Sequence, residues 1–258
     1  MTQTTFELGI DSRRALAELL TSVADDEFVI GFWDSEWTGI APMLEEDVAT
    51  SSIAQDEIGH ARALYELIAE LTDDDADRIA FGREPGEYRH AALLNHARGD
   101  WAFSVARRYL YESADAVRLS ALAHSRHGPL AALAGKMQRE ETYHRMHADA
   151  WLRRLSDGSR DGRDRLAGSI ECLWPDAQQV FAPLHDEEPL LREGLLAEPM
   201  LALHARWQSQ VSPILTLIVG ELPPAAPTRD GRERRTDDFI WLHAEFTAVA
   251  GSEAGATW

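Results

Sequence analysis

The chain has 258 residues, 45% of them hydrophobic, with a formal net charge of −19. That length can bury a large core, and such acidity argues against a nucleic-acid-binding surface and against adhesion to anionic membranes. Cys172 is the only cysteine, which excludes an intrachain disulfide, a Cys-ligated iron–sulfur cluster and a structural Cys-type zinc site. Met1 to Asp11 shows no basic segment followed by an apolar stretch, so no secretory signal is expected. The longest apolar run, near Ile214 to Val219, is far short of the roughly 20 residues of a membrane span. A cytoplasmic protein with no membrane partner is expected.

In chain order, Asp11-Ser12 offers a helix cap, and Leu16, Leu19, Leu20, Val23, Phe28, Ile30 and Phe32 follow at helical spacing. This first helix carries Glu27 and stops near Gly39 to Pro42. A second helix runs from about Leu44 to Leu71 with acids in its first turn, and carries Asp56, Glu57 and His60. Thr72 to Tyr88 is polar and broken by Gly82, Pro85 and Gly86, which predicts an irregular crossover. Asp100 caps a third helix, Trp101 to about Ser125, with Glu112 on its apolar stripe. Gly128-Pro129 marks a turn, and a fourth helix, about Leu130 to Leu155, carries Glu140, Glu141 and His144.

Ser156 to Arg163 reads as a loop, Leu166 to Phe181 and Met200 to Gly220 as further helices, and Leu222 to Arg235 as irregular. A last helix is predicted from Asp237 to about Ala250. No strand-like alternation of any length occurs. The expected fold class is all-α: a single domain over 1–258, with a four-helix bundle at about 12–156 and a helical extension at about 163–258.

A Glu three residues before a His on a helix puts a carboxylate and an imidazole on one face. One such match is near chance in so acidic a chain, and Glu87 to His90, in a Pro-Gly loop, is read that way. The other two are strengthened by context. Glu27 precedes Glu57 by 30 residues and Glu112 precedes Glu141 by 29, so Glu followed by Glu-x-x-His repeats across two helix pairs. This is how helical bundles hold two metal ions. An acid in an apolar stripe must be paired, protonated or metal-bound, because desolvating an unpaired carboxylate costs several kcal/mol.

The predicted metal ligands are therefore Glu27, Glu57, His60, Glu112, Glu141 and His144, with Asp56 and Glu140 as acceptors for the outer ring nitrogens of the histidines. Carboxylates outnumber imidazoles and no thiolate is available, which favours two iron ions, with manganese as the other option, over copper or zinc. His124 and His127, beside Gly128-Pro129, are read as loop or cap histidines. Arg107-Arg108 and Arg153-Arg154 are read as solvated helix faces.

The run Glu36 to Asp47, the segment Ala54 to Arg62, Glu140 to His144, the tail Arg229 to Arg232 and the terminal Gly255 to Trp258 together resemble the oxygenase components of bacterial phenylacetyl-CoA epoxidase. The resemblance implies a ferritin-like fold and a di-iron multicomponent monooxygenase acting on an aryl- or acyl-CoA, with phenylacetyl-CoA 1,2-epoxidation as the implied reaction. It also implies a second ferritin-like subunit or a homo-oligomer, and a separate flavin and iron–sulfur reductase. Glu57 and Glu141 would be the bridging, catalytic pair. The layout is similar to the structural, C-type subunit. That subunit typically carries Gln at the position of His60 and a small residue at that of Glu27, whereas this chain keeps both ligands, as the catalytic subunit does. A catalytic component, a scaffold subunit that stabilises a catalytic partner, and a ferroxidase or iron-storage protein are the readings carried forward.

Overall fold

A computed structural model describes residues 8–252. The first residues of the Met1–Asp11 segment and the terminal Gly255 to Trp258 lie outside that range. Nine α-helices and no strand occur among the described residues. Helices α1 (Ile10–Ser35) and α2 (Leu44–Thr72) form one pair, and α4 (Trp101–Leu122) and α5 (Gly128–Ser156) form the second. Between them lies a short α3 (Ala76–Phe81). Helices α6 (Arg160–Ala177) and α8 (Met200–Val219) pack on α4. A five-residue α7 (Glu188–Arg192) and α9 (Asp237–Thr247) touch α1. No described helix is long and apolar enough to cross a membrane.

The caps explain several boundaries. Asp100 accepts from the Phe103 amide at 2.9 Å, and His127 Nδ1 accepts from the Leu130 amide at 3.3 Å with Pro129 in the first turn of α5. His124 is exposed and donates to the Ser120 carbonyl. Both histidines are thus the loop and cap residues expected.

Other expectations need correcting. Asp11-Ser12 does not cap α1: the cap position is Gly9, and buried Ser12 donates to Glu193 near α7 instead. The 72–88 connection contains α3 and a short 3-10 turn, because Asp75 caps the Arg78 amide. The loop at 156–163 shrinks to three residues because Ser159 caps α6 from Arg160.

Arg107 and Arg108 are not on a solvated face. Both are buried: Arg107 Nη1 donates to the His96 carbonyl at 2.9 Å, and Arg108 Nη2 lies 2.6 Å from Asp34 Oδ2. Arg153 and Arg154 are exposed as expected. Placing two guanidiniums inside requires buried acids to meet them, and α1 supplies three. Asp25 takes Tyr65 and Arg83, Asp34 takes Arg108, and Asp26 takes Arg118 at 2.5 Å and both terminal nitrogens of Arg232 at 2.9 Å. Arg232 belongs to the irregular 222–236 tail and also donates to the carbonyls of Ser22, Arg89 and Val180. Its neighbour Gly231 leaves no room for a side chain, since a Cβ there would overlap Gln179 Oε1. The tail is therefore irregular in backbone but tied to the middle of the bundle.

One close approach sets the depth of the site. A Cβ on Gly31, one turn after Glu27, would lie 2.8 Å from Ile58 Cγ1 and 3.1 Å from both Glu57 Cβ and the Ala54 carbonyl oxygen. Glycine at that position lets α1 and α2 meet beside Glu57.

Candidate metal centre

All six sequence-predicted ligands are buried and come together at one level of the bundle. Two overlapping donor sets form there. Glu27, Glu57, His60 and Glu141 offer atoms within 4.8 Å of one another, as do Glu57, Glu112, Glu141 and His144. Glu57 and Glu141 belong to both sets and join the two halves of the cluster.

Donor spacing fits coordination. His60 Nδ1 lies 3.2 Å from Glu27 Oε2, 3.4 Å from Glu141 Oε1 and 3.8 Å from Glu57 Oε2. His144 Nδ1 lies 3.2 Å from Glu141 Oε1 and 3.3 Å from Glu57 Oε1. Ligands held about 2.1 Å from a small cation are about 3 Å apart. The outer ring nitrogens point the other way, to acids. His60 Nε2 donates to Glu140 Oε2 at 2.9 Å, and His144 Nε2 lies 3.4 Å from Asp56 Oδ2. A proton held on Nε2 leaves the Nδ1 lone pair facing inward, the tautomer a metal ion requires.

The pairing is crossed between helices. Asp56 precedes Glu57 on α2 but serves His144 of α5, and Glu140 precedes Glu141 on α5 but serves His60 of α2. The acids expected to back the histidines therefore do so from the opposite helix.

Inward-facing atoms are left without partners. Both carboxylate oxygens of Glu57, Glu112 and Glu141, and Nδ1 of His144, are buried and make no hydrogen bond. Leaving so many charged acceptors unpaired is costly, and this oxygen-rich set with two imidazoles matches iron or manganese. Protonation reflects the same crowding. Burial, then the charge of Glu141, pushes Glu57 and Glu112 well above the usual carboxylate range. Burial lowers His144, but the Glu141 carboxylate 3.2 Å from its Nδ1, with the nearby charge of Glu112, outweighs it and raises it to about 9. Burial would raise Glu141, yet the facing rings of His144 and His60, 3.2 and 3.4 Å from its Oε1, outweigh it and hold it low. The cluster attracts positive charge, as protons or as cations.

Glu27 is held differently from the rest. Tyr111 donates to its Oε1 at 2.6 Å, and Arg118 reaches both that hydroxyl, at 3.2 Å, and Asp115. Tyr111, Arg118 and Asp26 were not anticipated from the sequence. The available signal was the run Asp25-Asp26-Glu27 inside an apolar stripe, since each such acid requires a cation or donor. The third Glu-x-x-His match stays apart from the centre. Glu87 closes a capping turn with Glu84, and His90 is buried against Asn95 Oδ1 at 2.9 Å.

An open cleft of about 570 Å3 reaches the centre, with Glu141 in its wall beside Arg145, Met146, Arg206 and Gln210. A smaller recess of about 190 Å3 shares Arg145 and Gln210 with it and has Glu112 in its wall. The centre thus has access from the side formed by α4, α5 and α8.

A family model described as phenylacetic acid catabolic protein matches residues 1–258. The C component of 1,2-phenylacetyl-CoA epoxidase from Escherichia coli (strain K12) is 31% identical over 177 residues, covering 68% of this chain and 71% of that protein. The A component from the same organism is 26% identical over 177 residues, covering 69% of this chain and 57% of its own length. The chain belongs to the phenylacetic acid catabolic protein family.

Proposed function

We propose that this chain is an oxygenase component of a multicomponent epoxidase in phenylacetate catabolism, and that it holds two iron ions. The carrying observation is the paired donor set, with Glu57 and Glu141 common to both halves. Glu27 and His60 would complete one half and Glu112 and His144 the other. A bound iron pair supplies the activation of molecular oxygen, which no side chain here can perform.

The protein's own residues have defined tasks in this reading. Glu140 and Asp56 hold the outer protons of His60 and His144 and so fix ring orientation. Tyr111 occupies one oxygen of Glu27 and leaves the other for the centre. The cleft beside Glu141 has the size of a small-molecule site, and Arg145 and Arg206, which share its wall with the carboxylates of Glu141 and Asp149, are the cations an acyl-CoA would meet there. Electrons would come from a separate flavin and iron–sulfur reductase, since one cysteine cannot hold a cluster.

Iron analysis and Mössbauer spectra of anaerobically prepared protein should give a coupled pair of ions per chain. Absence of coupled iron removes the catalytic reading. A second reading is a scaffold that stabilises a catalytic partner, favoured by the higher identity to the C component, 31% against 26% for the A component. Turnover that survives Glu57→Ala plus Glu141→Ala in the reconstituted complex assigns the chemistry to the partner.

A further inference from the structure

The metal layer is not the only polar layer in this bundle. Asp34 lies seven residues after Glu27, Thr50 seven before Glu57, Arg108 four before Glu112, and His147 three after His144. With α1 and α5 running against α2 and α4, those offsets place all four at one level, next to the ligands. They line a single cavity of about 10 Å3, together with Trp101. Five buried polar atoms of its wall make no hydrogen bond: Asp34 Oδ2, Thr50 Oγ1, Trp101 Nε1, Arg108 Nη1 and His147 Nδ1. Asp34 Oδ2 is met by the charge of Arg108 Nη2 at 2.6 Å, which leaves four for another molecule. Thr50 and Arg108 are more than nine-tenths buried.

The donor and acceptor inventory of these atoms is complementary to one molecule. The Trp101 indole and the Arg108 guanidinium can only donate. His147 Nε2 lies 2.7 Å from Glu46 Oε2, so its proton points outward and Nδ1 is an acceptor. Burial, then the Arg108 charge, holds the pKa of His147 down and keeps the ring neutral. Thr50 Oγ1 accepts equally well. Two donors and two acceptors around a space of about 10 Å3 are what one buried water molecule requires. We propose that this cavity binds one water, and that Glu46, His147 and this water form a proton path between the surface and the layer beside the metal ligands.

The path balances without a co-reactant. For each proton that reaches the water from the bundle interior, the water passes one to His147 Nδ1 and is left neutral, while the Nε2 proton passes to the Glu46 carboxylate and then to solvent. The reverse transfer brings one proton in and returns the ring to its starting tautomer. Use of the path by the centre rests on the function proposed above, but the water site and the path do not.

Two measurements on the full-length, metal-free chain test this. A high-resolution crystal structure should show one density peak within hydrogen-bonding distance of all four atoms, and a dry cavity overturns the site. Deuterium exchange at the Trp101 indole, followed by NMR, should slow by about 100-fold in Glu46→Gln and in His147→Phe, in line with the loss of one acid–base group. Glu46→Gln is isosteric and partly exposed, so its folding is not at stake. Unchanged exchange in that variant overturns the path, whatever the iron analysis gives.

Discussion

Arg232 to alanine is the sharpest test of how the tail is held. In the wild type its two terminal nitrogens grip Asp26 at 2.9 Å each and also serve the carbonyls of Ser22, Arg89 and Val180. Removing one partner of a buried pair costs about 3–5 kcal/mol. Asp26 would keep Arg118 at 2.5 Å and the Ala91 amide at 2.7 Å, so the lower end, about 3 kcal/mol, is expected. For a chain of this size that is a fall in melting temperature of about 6–12 °C. Calorimetry on Arg232→Ala, Asp26→Asn and the double variant measures it. The singles should not add, with a coupling of at least about 1 kcal/mol. Arg232→Lys should fall between, because an ammonium cannot make the two-pronged contact. A loss below about 1 kcal/mol for Arg232→Ala, or strict additivity, would show that the tail is held by something else.

Further expectations concern the centre and its surroundings. Glu140→Ala should weaken iron binding by about 10- to 100-fold in chelator competition, and in a cobalt-substituted protein the shifted N–H resonance lost should be that of His60, not His144. Gly31→Ala should cost about 1–3 kcal/mol from overpacking and lower metal affinity, since its methyl would press on Glu57 Cβ; unaltered affinity would show that α1 and α2 can separate there freely. His90 is buried with its pKa well below 6.5, through burial and then the charge of Arg235. A depressed histidine contributes stability that is present above its unfolded value and lost as pH falls. Denaturant titrations should therefore show a contribution from His90 to the acid-side slope below about pH 6.5 of up to 1.4 kcal/mol per pH unit, by which the slope of His90→Leu should be the smaller.

The helices and the six inward carboxylates and imidazoles could be read from the sequence because both follow the helical period. Glu27, Glu57, Glu112 and Glu141 each fall on an apolar stripe, and the repeat of their spacing supplied the rest. The ion pairs around them could not be read this way. Asp26 and Arg232 are 206 residues apart, and Arg232 lies in a Pro- and Arg-rich stretch with no periodicity to say which way it points. Arg107 and Arg108 looked like surface residues because charged pairs on helices usually are, and only the position of Asp34 on the facing helix reverses that. The direction of Asp56 and Glu140 was equally hidden. Spacing places each beside its own Glu, but a side chain between two helices can serve either.

The exchange of Asp56 and Glu140 between the two histidines bears on how such a centre could be lost in descent. Damage to the α2 motif that removes Asp56 also leaves His144 without support, and damage to α5 that removes Glu140 does the same to His60. Neither half can decay alone without impairing the other. A lineage that relaxes selection on one motif would soon carry two, so relatives should divide into chains with the complete set and chains with little of it, with few intermediates between.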